Sequence, residues 1–286
     1  MSSSKVFKKI KYAMRLIPDK TYIQIYYFAH FKHFCDLKNP KTYNEKLNWL
    51  KLHDHNPLYT KIVDKHDVKE YVADIIGSEY IIPTLGVWNH FDEIDFDKLP
   101  NQFVLKCTHD SEGLVIVRDK AILDKAIAKE KIEAALKQNF YYIGREWPYK
   151  DVKPRIIAEQ YMEDHVDGEL RDYKFFCFNG EPKAMFIASE RASGHVKFDY
   201  FDLNFHHLDI KQKYANADKP LRKPETFEKM IELSRTLSDG FPHVRVDFYE
   251  VDGHLYFGEL TFYHFSGFIP FEPDEWDEIF GRWLNL

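Results

Sequence analysis

The sequence predicts an α+β fold on three observations. The first ninety residues carry mostly helical signals, short apolar runs divided by polar turns take over from Pro100, and the dipeptides Asn179-Gly180 and Asp252-Gly253 each separate two runs of strand length. In the helical part, Thr42 followed by Glu45 is a capping-box signature for a helix entering Tyr43 to Leu50. A second helix is expected from Asp64 to Ile76, stopped by Gly77. Phe103 to Lys106 and Leu114 to Val117 read as strands flanking a polar loop, Cys107 to Gly113, and residues 120–139 have helical periodicity and composition. Strands follow at Arg155 to Tyr161 and at Tyr173 to Phe178, the latter turning through Asn179-Gly180 as a type I′ hairpin into Lys183 to Ser189. A last hairpin pairs Val244 to Glu250 with Leu255 to Phe262. The expected organisation is a helical region over 1–90, a first lobe over 91–155 and a second lobe, carrying a metal site, over 156–286.

Composition narrows the function. With 286 residues, 44% hydrophobic and 16% aromatic, the chain can bury a large core and lies far from disordered compositions. A net charge of −6, with Lys and Arg interspersed among acids, gives no cationic field for nucleic acid, so no nucleic-acid partner is expected. Cys35, Cys107 and Cys177 lie too far apart for a C-x-x-C metal pattern, and a reducing cytoplasm is the expected compartment. No apolar run is long enough to span a bilayer. One local bias stands out: residues 1–34 hold Lys5, Lys8, Lys9, Lys11, Arg15, Lys20 and Lys32 against the single acid Asp19, interleaved with Phe7, Ile10, Met14 and Ile17. Such a basic amphipathic helix either rests on an anionic membrane face or packs its apolar side on the protein body.

The segment richest in chemistry is the last hairpin. Alternation puts Arg245 and Asp247 on one face of its first strand, and Phe257, Glu259 and Thr261 on one face of its second. A three-residue loop centred on Gly253 would set Asp247 opposite Glu259, two carboxylates that repel unless a cation such as Mg²⁺ lies between them. A two-residue loop would stagger the pair and leave ordinary surface charges. Lys106, ending an apolar strand ahead of a loop with Ser111 and Gly113, has the form of a phosphate-facing ammonium with backbone donors, or of a solvated strand end.

Taken in order, Lys106 with its loop, Glu159-Gln160-Tyr161-Met162, Asp172-Tyr173-Lys174, Arg191, Asp247 and Glu259-Leu260-Thr261 resemble the ATP-grasp superfamily. More narrowly, Lys-Thr-Tyr-Asn-Glu-Lys-Leu (41–47), Val-Asp-Lys (63–65), Gly-Arg-Glu-Trp-Pro-Tyr-Lys (144–150), Asp-Tyr-Lys-Phe-Phe-Cys-Phe-Asn-Gly (172–180) and Phe-Gly-Glu-Leu-Thr-Phe-Tyr (257–263) resemble the TupA-like group, named for teichuronopeptide synthesis. The resemblance implies a fold of two lobes gripping ATP, and activation of a carboxylate as an acyl phosphate for attack by an amine. It places Lys106, Ser111 and Gly113 at the phosphates, Glu159 to Met162 as the hinge beside adenine, and Asp172 on the ribose. Lys174, Arg191 and Arg245 would steady phosphate or acyl phosphate, and Asp247, Glu259 and Thr261 would hold Mg²⁺. Thr261 stands where the family has Asn, and Asp110 and Glu112 put acids in the phosphate loop. A glycosyltransferase using a nucleotide-diphosphate sugar is the alternative. His53-Asp54-His55 and His109 are further candidates for metal or ligand contact. Arg145, Glu146 and Tyr149 fit either a substrate contact or a structural ion pair, and Asp64 fits a helix cap.

Overall fold

The computed structural model describes residues 14–286 apart from Glu112 and Ala192. Among the described residues the chain divides into two compact units, one of residues 14–55 with 163–286 and one of residues 56–162. The physical reason lies in the helix predicted by the capping box, α2 (Tyr43–His53), which follows α1 (Asp19–Phe31). Asn44 gives both its backbone and side-chain N–H to Asp277 Oδ1 at 2.9 Å, and Lys46 Nζ caps the carbonyls of Gly281 and Leu284 at 2.9 and 2.7 Å. Those acceptors belong to α8 (Glu275–Trp283) and its C-cap Leu284, so α2 is fastened to the end of the chain rather than to its sequence neighbours.

In the 56–162 unit, α3 (Pro57–Ile62) and α4 (Asp67–Ile76) precede a sheet in the order β1-β4-β2-β3, antiparallel throughout. Its strands are β1 (Thr84–Trp88), β2 (Phe103–Cys107), β3 (Leu114–Val117) and β4 (Ile156–Gln160). Alternation buries Phe103, Leu105 and Cys107 against Ala128, Ile132 and Ala135 of α5 (Lys125–Leu136). The expected helix over 120–139 is therefore shorter: Asp119 caps a 3₁₀ turn at Lys120–Ile122, and Asp124 accepts the first N–H groups of α5. The short α6 (Tyr141–Gly144) follows, ending in Arg145 at φ 56°.

In the other unit, a six-stranded antiparallel sheet runs β10-β9-β5-β6-β7-β8. The strands are β5 (Asp172–Phe178), β6 (Glu181–Ser189), β7 (Lys197–Phe201), β8 (His207–Leu208), β9 (His243–Val251) and β10 (His254–Thr261). Asn179 and Gly180 both take positive φ, 50° and 81°, as the type I′ hairpin requires. Helix α7 (Phe227–Ser238) packs on the face carrying Tyr173, Phe175 and Phe248, with Phe227 5.9 Å from the Phe175 ring. That leaves the opposite face, with Asp172, Lys174 and Asp247, for charge.

Candidate functional site

The charged face depends on one irregularity in the last hairpin. Asp252 and Gly253 form a two-residue turn, pairing His254 with Val251, so the three-residue loop expected from sequence is not the one adopted. Continued evenly, that register would leave Asp247 facing Gly258. A β-bulge intervenes: Phe257 pairs with Phe248, Gly258 is skipped, and Glu259 falls opposite Asp247 after all. Phe257 consequently lies on the core face, away from Glu259 and Thr261, correcting the simple alternation. Glycine suits the skipped position because a Cβ there would crowd the Asp247 carbonyl oxygen and the Tyr249 ring at 3.1 Å each.

Arg245 is the hub of this face. It donates Nε and Nη2 to the two Asp247 oxygens at 2.7 and 2.8 Å, and Nη2 also reaches Glu259 Oε1 at 3.1 Å and Thr261 Oγ1 at 3.0 Å. Thr261 in turn donates to Glu259 Oε1 at 3.1 Å. Lys174, registered opposite Asp247, donates to its carboxylate and lies 3.2 Å from Asp172 Oδ1, and Arg191 pairs with Asp172. Burial pushes the Asp172 carboxyl upward, but Lys174 and Arg191 pull harder and hold it below its usual range. Burial pushes Asp247 up against the pull of Arg245 and Lys174. The expected Arg191, Lys174, Asp172, Arg245, Asp247, Glu259 and Thr261 thus form one connected network.

A second cluster lies in the 56–162 unit. Lys106 and Lys69 each approach a different oxygen of Glu159 at 2.5 Å, and although burial opposes ionisation, the two ammonium groups lower the carboxyl to about 2. Glu159 is therefore clamped under two lysines, while Gln160 exposes its side chain, is registered against Phe103 of β2 and donates its backbone N–H to the Pro83 carbonyl. Tyr161 accepts a hydrogen bond from Arg118 Nε at 3.1 Å, and Met162 is buried.

A match to the family model described as TupA-like ATPgrasp runs over residues 45–285. The chain belongs to the TupA-like ATP-grasp family. Three solved structures are similar to it. One is a D-alanine–D-alanine ligase from Bacillus anthracis complexed with ATP, at 17% identity over 70% of this chain and 53% of that one, TM-score 0.42. Another is N5-carboxyaminoimidazole ribonucleotide synthetase as an ADP complex, at 16% identity over 76% and 50%, TM-score 0.41. The third is the ATP-grasp ligase PsnB with minimal precursor, Mg and ADP, at 10% identity over 77% and 57%, TM-score 0.40. The chain spans 50 to 57% of the length of these three proteins. No curated protein matches its sequence.

Other expected residues of this TupA-like protein fall outside the two clusters. Gly113 gives its N–H to both Asp110 oxygens at 3.0 and 3.2 Å, so that donor is already engaged. Its own steric need is structural, since a Cβ would lie 2.4 Å from Cys107 Sγ. Ser111 is exposed, and His109 is buried with Nε2 against the Gln138 carbonyl at 3.0 Å. His53 packs on Trp49 with its ring tilted and His55 contacts the Lys51 carbonyl at 3.1 Å, so the H-x-H pair does not converge. Arg145 and Glu146 are buried, with the Arg145 guanidinium 5.4 Å from the rings of Tyr141 and Tyr142, and Tyr149 packs on Phe140.

Three residues were missed by the sequence reading. Lys69 carries a signal only in hindsight, one helical turn beyond Lys65. Tyr249 continues the Arg245-x-Asp247 alternation and is registered against Asp172, where burial and that carboxylate push its phenol far upward. His264 accepts from Arg245 Nη1 at its Nδ1, 2.7 Å, and donates from Nε2 to Gln212 Oε1 at 2.8 Å. Burial and the adjacent Arg245 hold its pKa well below the usual range, so it is a neutral acceptor.

Asp247, Glu259 and Thr261 carry hard oxygens of the type Mg²⁺ takes, on one face, where Arg245 Nη2 hydrogen-bonds to all three. Among the described residues, the group of His, Cys, Asp or Glu able to bring three ligand atoms within 4.8 Å is instead Asp64, His66 and Asp67. Arg155 holds Asp64 Oδ1 and Asp67 Oδ2 at 3.0 and 2.7 Å, and Asp64 Oδ1 caps the start of α4, which makes it a helix cap with an ion pair.

Proposed function

We propose that the chain is an ATP-dependent ligase that joins a carboxylate to an amine through an acyl phosphate, in the synthesis of a cell-surface polysaccharide or peptidic polymer. The observation that carries this reading is the Arg245, Asp247, Glu259, Thr261 and Lys174 network, in a chain whose family match runs over residues 45–285. In the reaction, a carboxylate oxygen takes the γ-phosphoryl group and ADP leaves; the amine nitrogen then bonds to the acyl carbon, and phosphate departs with the oxygen. No side-chain nucleophile is needed.

In this reading Arg245, fixed by five acceptors, presents a rigid guanidinium to the acyl phosphate, and Lys174 and Arg191 supply further charge to the transferring phosphoryl oxygens. Asp172 holds the ribose hydroxyls. Asp247, Glu259 and Thr261 hold Mg²⁺, which when bound neutralises phosphate charge. In the other unit, Lys106 contacts the phosphates with Ser111 and Gly113 in the neighbouring loop, and Glu159 to Met162 form the adenine hinge. The acceptors are a small-molecule or saccharide carboxylate and an amine.

Thermal denaturation with ATP, ADP, GTP and nucleotide-diphosphate sugars, with and without Mg²⁺, tests this. Mg²⁺-dependent stabilisation by ATP that Lys106→Ala and Glu259→Gln each abolish is expected, followed by ADP release with a carboxylate and amine panel. Stabilisation by a sugar nucleotide alone would replace the ligase with the transferase.

A further inference from the structure

The first helix of the described chain carries more exposed apolar surface than its packing requires. Helix α1 buries Tyr22, Ile23, Tyr26 and Tyr27 in a cluster with Cys35 and Phe268, to which Met14 and Ile17 add partly buried contacts. Its inward face is thereby filled, as the packing alternative for the basic N-terminus anticipates for Met14 and Ile17. Yet Ile25 and Phe28, three residues apart on the opposite face, are 46% and 45% exposed, and Phe34 just beyond the helix is 66% exposed. The Phe28 and Phe34 rings lie 5.0 Å apart, so they form a contiguous aromatic patch rather than isolated side chains. Leu16, before the helix, is 88% exposed.

The rim of this patch is cationic. Lys20 and Lys32 are exposed and, among the described residues, make no ion pair; Lys32 Nζ turns back to the Ala29 carbonyl at 2.8 Å. Arg15, His30 and His33 are exposed alongside. The sequence ahead of the described residues continues the bias with Lys5, Lys8, Lys9 and Lys11, and Asp19 is the single acid in residues 1–34. The remainder of the chain must then be more acidic than the overall −6. Half-exposed Phe and Ile on a helix flanked by Lys suit the boundary between headgroups and acyl chains, where rings insert shallowly and ammonium groups meet anionic lipid. A second copy of the chain fits poorly, because a two-fold pairing of this face would bring its lysine rim against itself.

We infer that α1 and Phe34 dock this protein peripherally on an anionic bilayer surface, with Ile25, Phe28 and Phe34 inserted and Lys20 and Lys32 over lipid phosphates. The inference does not rest on the ligase reading. The experiment is flotation of the full chain with vesicles of phosphatidylcholine alone or with about 30% phosphatidylglycerol. Wild type should float only with the anionic vesicles, and high salt should reduce the bound fraction without erasing it. The triple variant Ile25→Ser, Phe28→Ser, Phe34→Ser should bind about tenfold or more weakly while remaining folded with a cooperative melt, since none of those side chains belongs to the buried core. Lys20→Gln with Lys32→Gln should weaken binding to the anionic vesicles and lessen its salt dependence, leaving the other cations of residues 1–34 in place. Failure of wild type to float overturns the proposal, as does unchanged flotation of the triple variant. A dimer in analytical ultracentrifugation that the triple variant dissociates, without vesicle binding, would assign the patch to self-association instead.

Discussion

At the scale of single residues, the charged face is decided by what holds Arg245. A buried guanidinium needs acceptors for its donors, and its partners are supplied from three places: Asp247 on its own strand, Glu259 and Thr261 across the hairpin, and His264 beyond β10. The last is the least replaceable, because neutral His264 also ties Arg245 to Gln212, which donates to the Ile269 carbonyl at 2.8 Å and accepts from the Tyr200 hydroxyl at 3.1 Å. His264→Ala should cost roughly 1–3 kcal/mol in urea denaturation, by leaving Arg245 Nη1 without its acceptor. It should also weaken turnover about 10- to 100-fold, with a smaller effect on KM for ATP, if Arg245 must be oriented for catalysis. His264→Asn, whose amide oxygen can accept from Arg245, should recover part of both losses. Equal losses in the two variants would show that the site needs only the bulk of a ring. Residues such as Arg245 and Asp247 were legible in the sequence because alternation places them together. His264 was not, since its approach depends on an irregular turn in which Phe265 and Ser266 take left-handed backbone, φ 47° and 54°, that no periodicity announces.

At the scale of elements, strands and turns with strong local chemistry were readable, while features set by tertiary contact were not. Asn179-Gly180 and the Thr42–Glu45 capping box work through their own backbone, so the structure reproduces them. Strand β1 and the short β8 lack a comparable signal, and α5 begins later than composition suggests because Asp124 competes successfully for the cap. The hairpin of β9 and β10 is the sharper lesson. Its facing carboxylates were inferred through a three-residue loop, whereas the chain uses a two-residue turn and recovers the same pairing with a bulge at Gly258. A bulge obeys no period, so only the glycine could have hinted at it. Gly258→Ala therefore tests the element directly. A methyl group 3.1 Å from the Asp247 carbonyl oxygen and the Tyr249 ring over-packs the strand pair and should cost roughly 1–3 kcal/mol. If the bulge is what delivers Glu259 to Asp247, the same variant should also lose Mg²⁺-dependent stabilisation by ATP beyond its loss of intrinsic stability. Full retention of that stabilisation would mean that the register tolerates distortion at Gly258.

At the scale of the whole molecule, stability should depend on pH in two opposed ways, traceable to one carboxylate in each unit. Glu159, lowered from 4.5 to about 2 despite burial because Lys106 and Lys69 surround it, contributes stability that is present above pH 4.5 and lost as the pH falls toward 2. Asp277 behaves oppositely. Burial raises it from 3.8 to about 6, against the pull of the two Asn44 hydrogen bonds, so its ionised form is the one the fold disfavours. A raised folded pKa means that its contribution is fully present below pH 3.8 and is lost as the pH rises through about 6. The size of the shift corresponds to at most about 3 kcal/mol. Asp277 is the acceptor through which α2 is fastened to α8, so this cost falls on the contact that joins the beginning of the chain to its end. Asp277→Asn keeps an oxygen for Asn44 while removing the charge. Its stability relative to wild type, measured by urea denaturation between pH 4.5 and 8, should become more favourable as the pH rises through about 6 and level off above 7. A difference that stays flat across that range would mean Asp277 titrates as an ordinary carboxylate, and that burial at the α2–α8 contact is relieved by water.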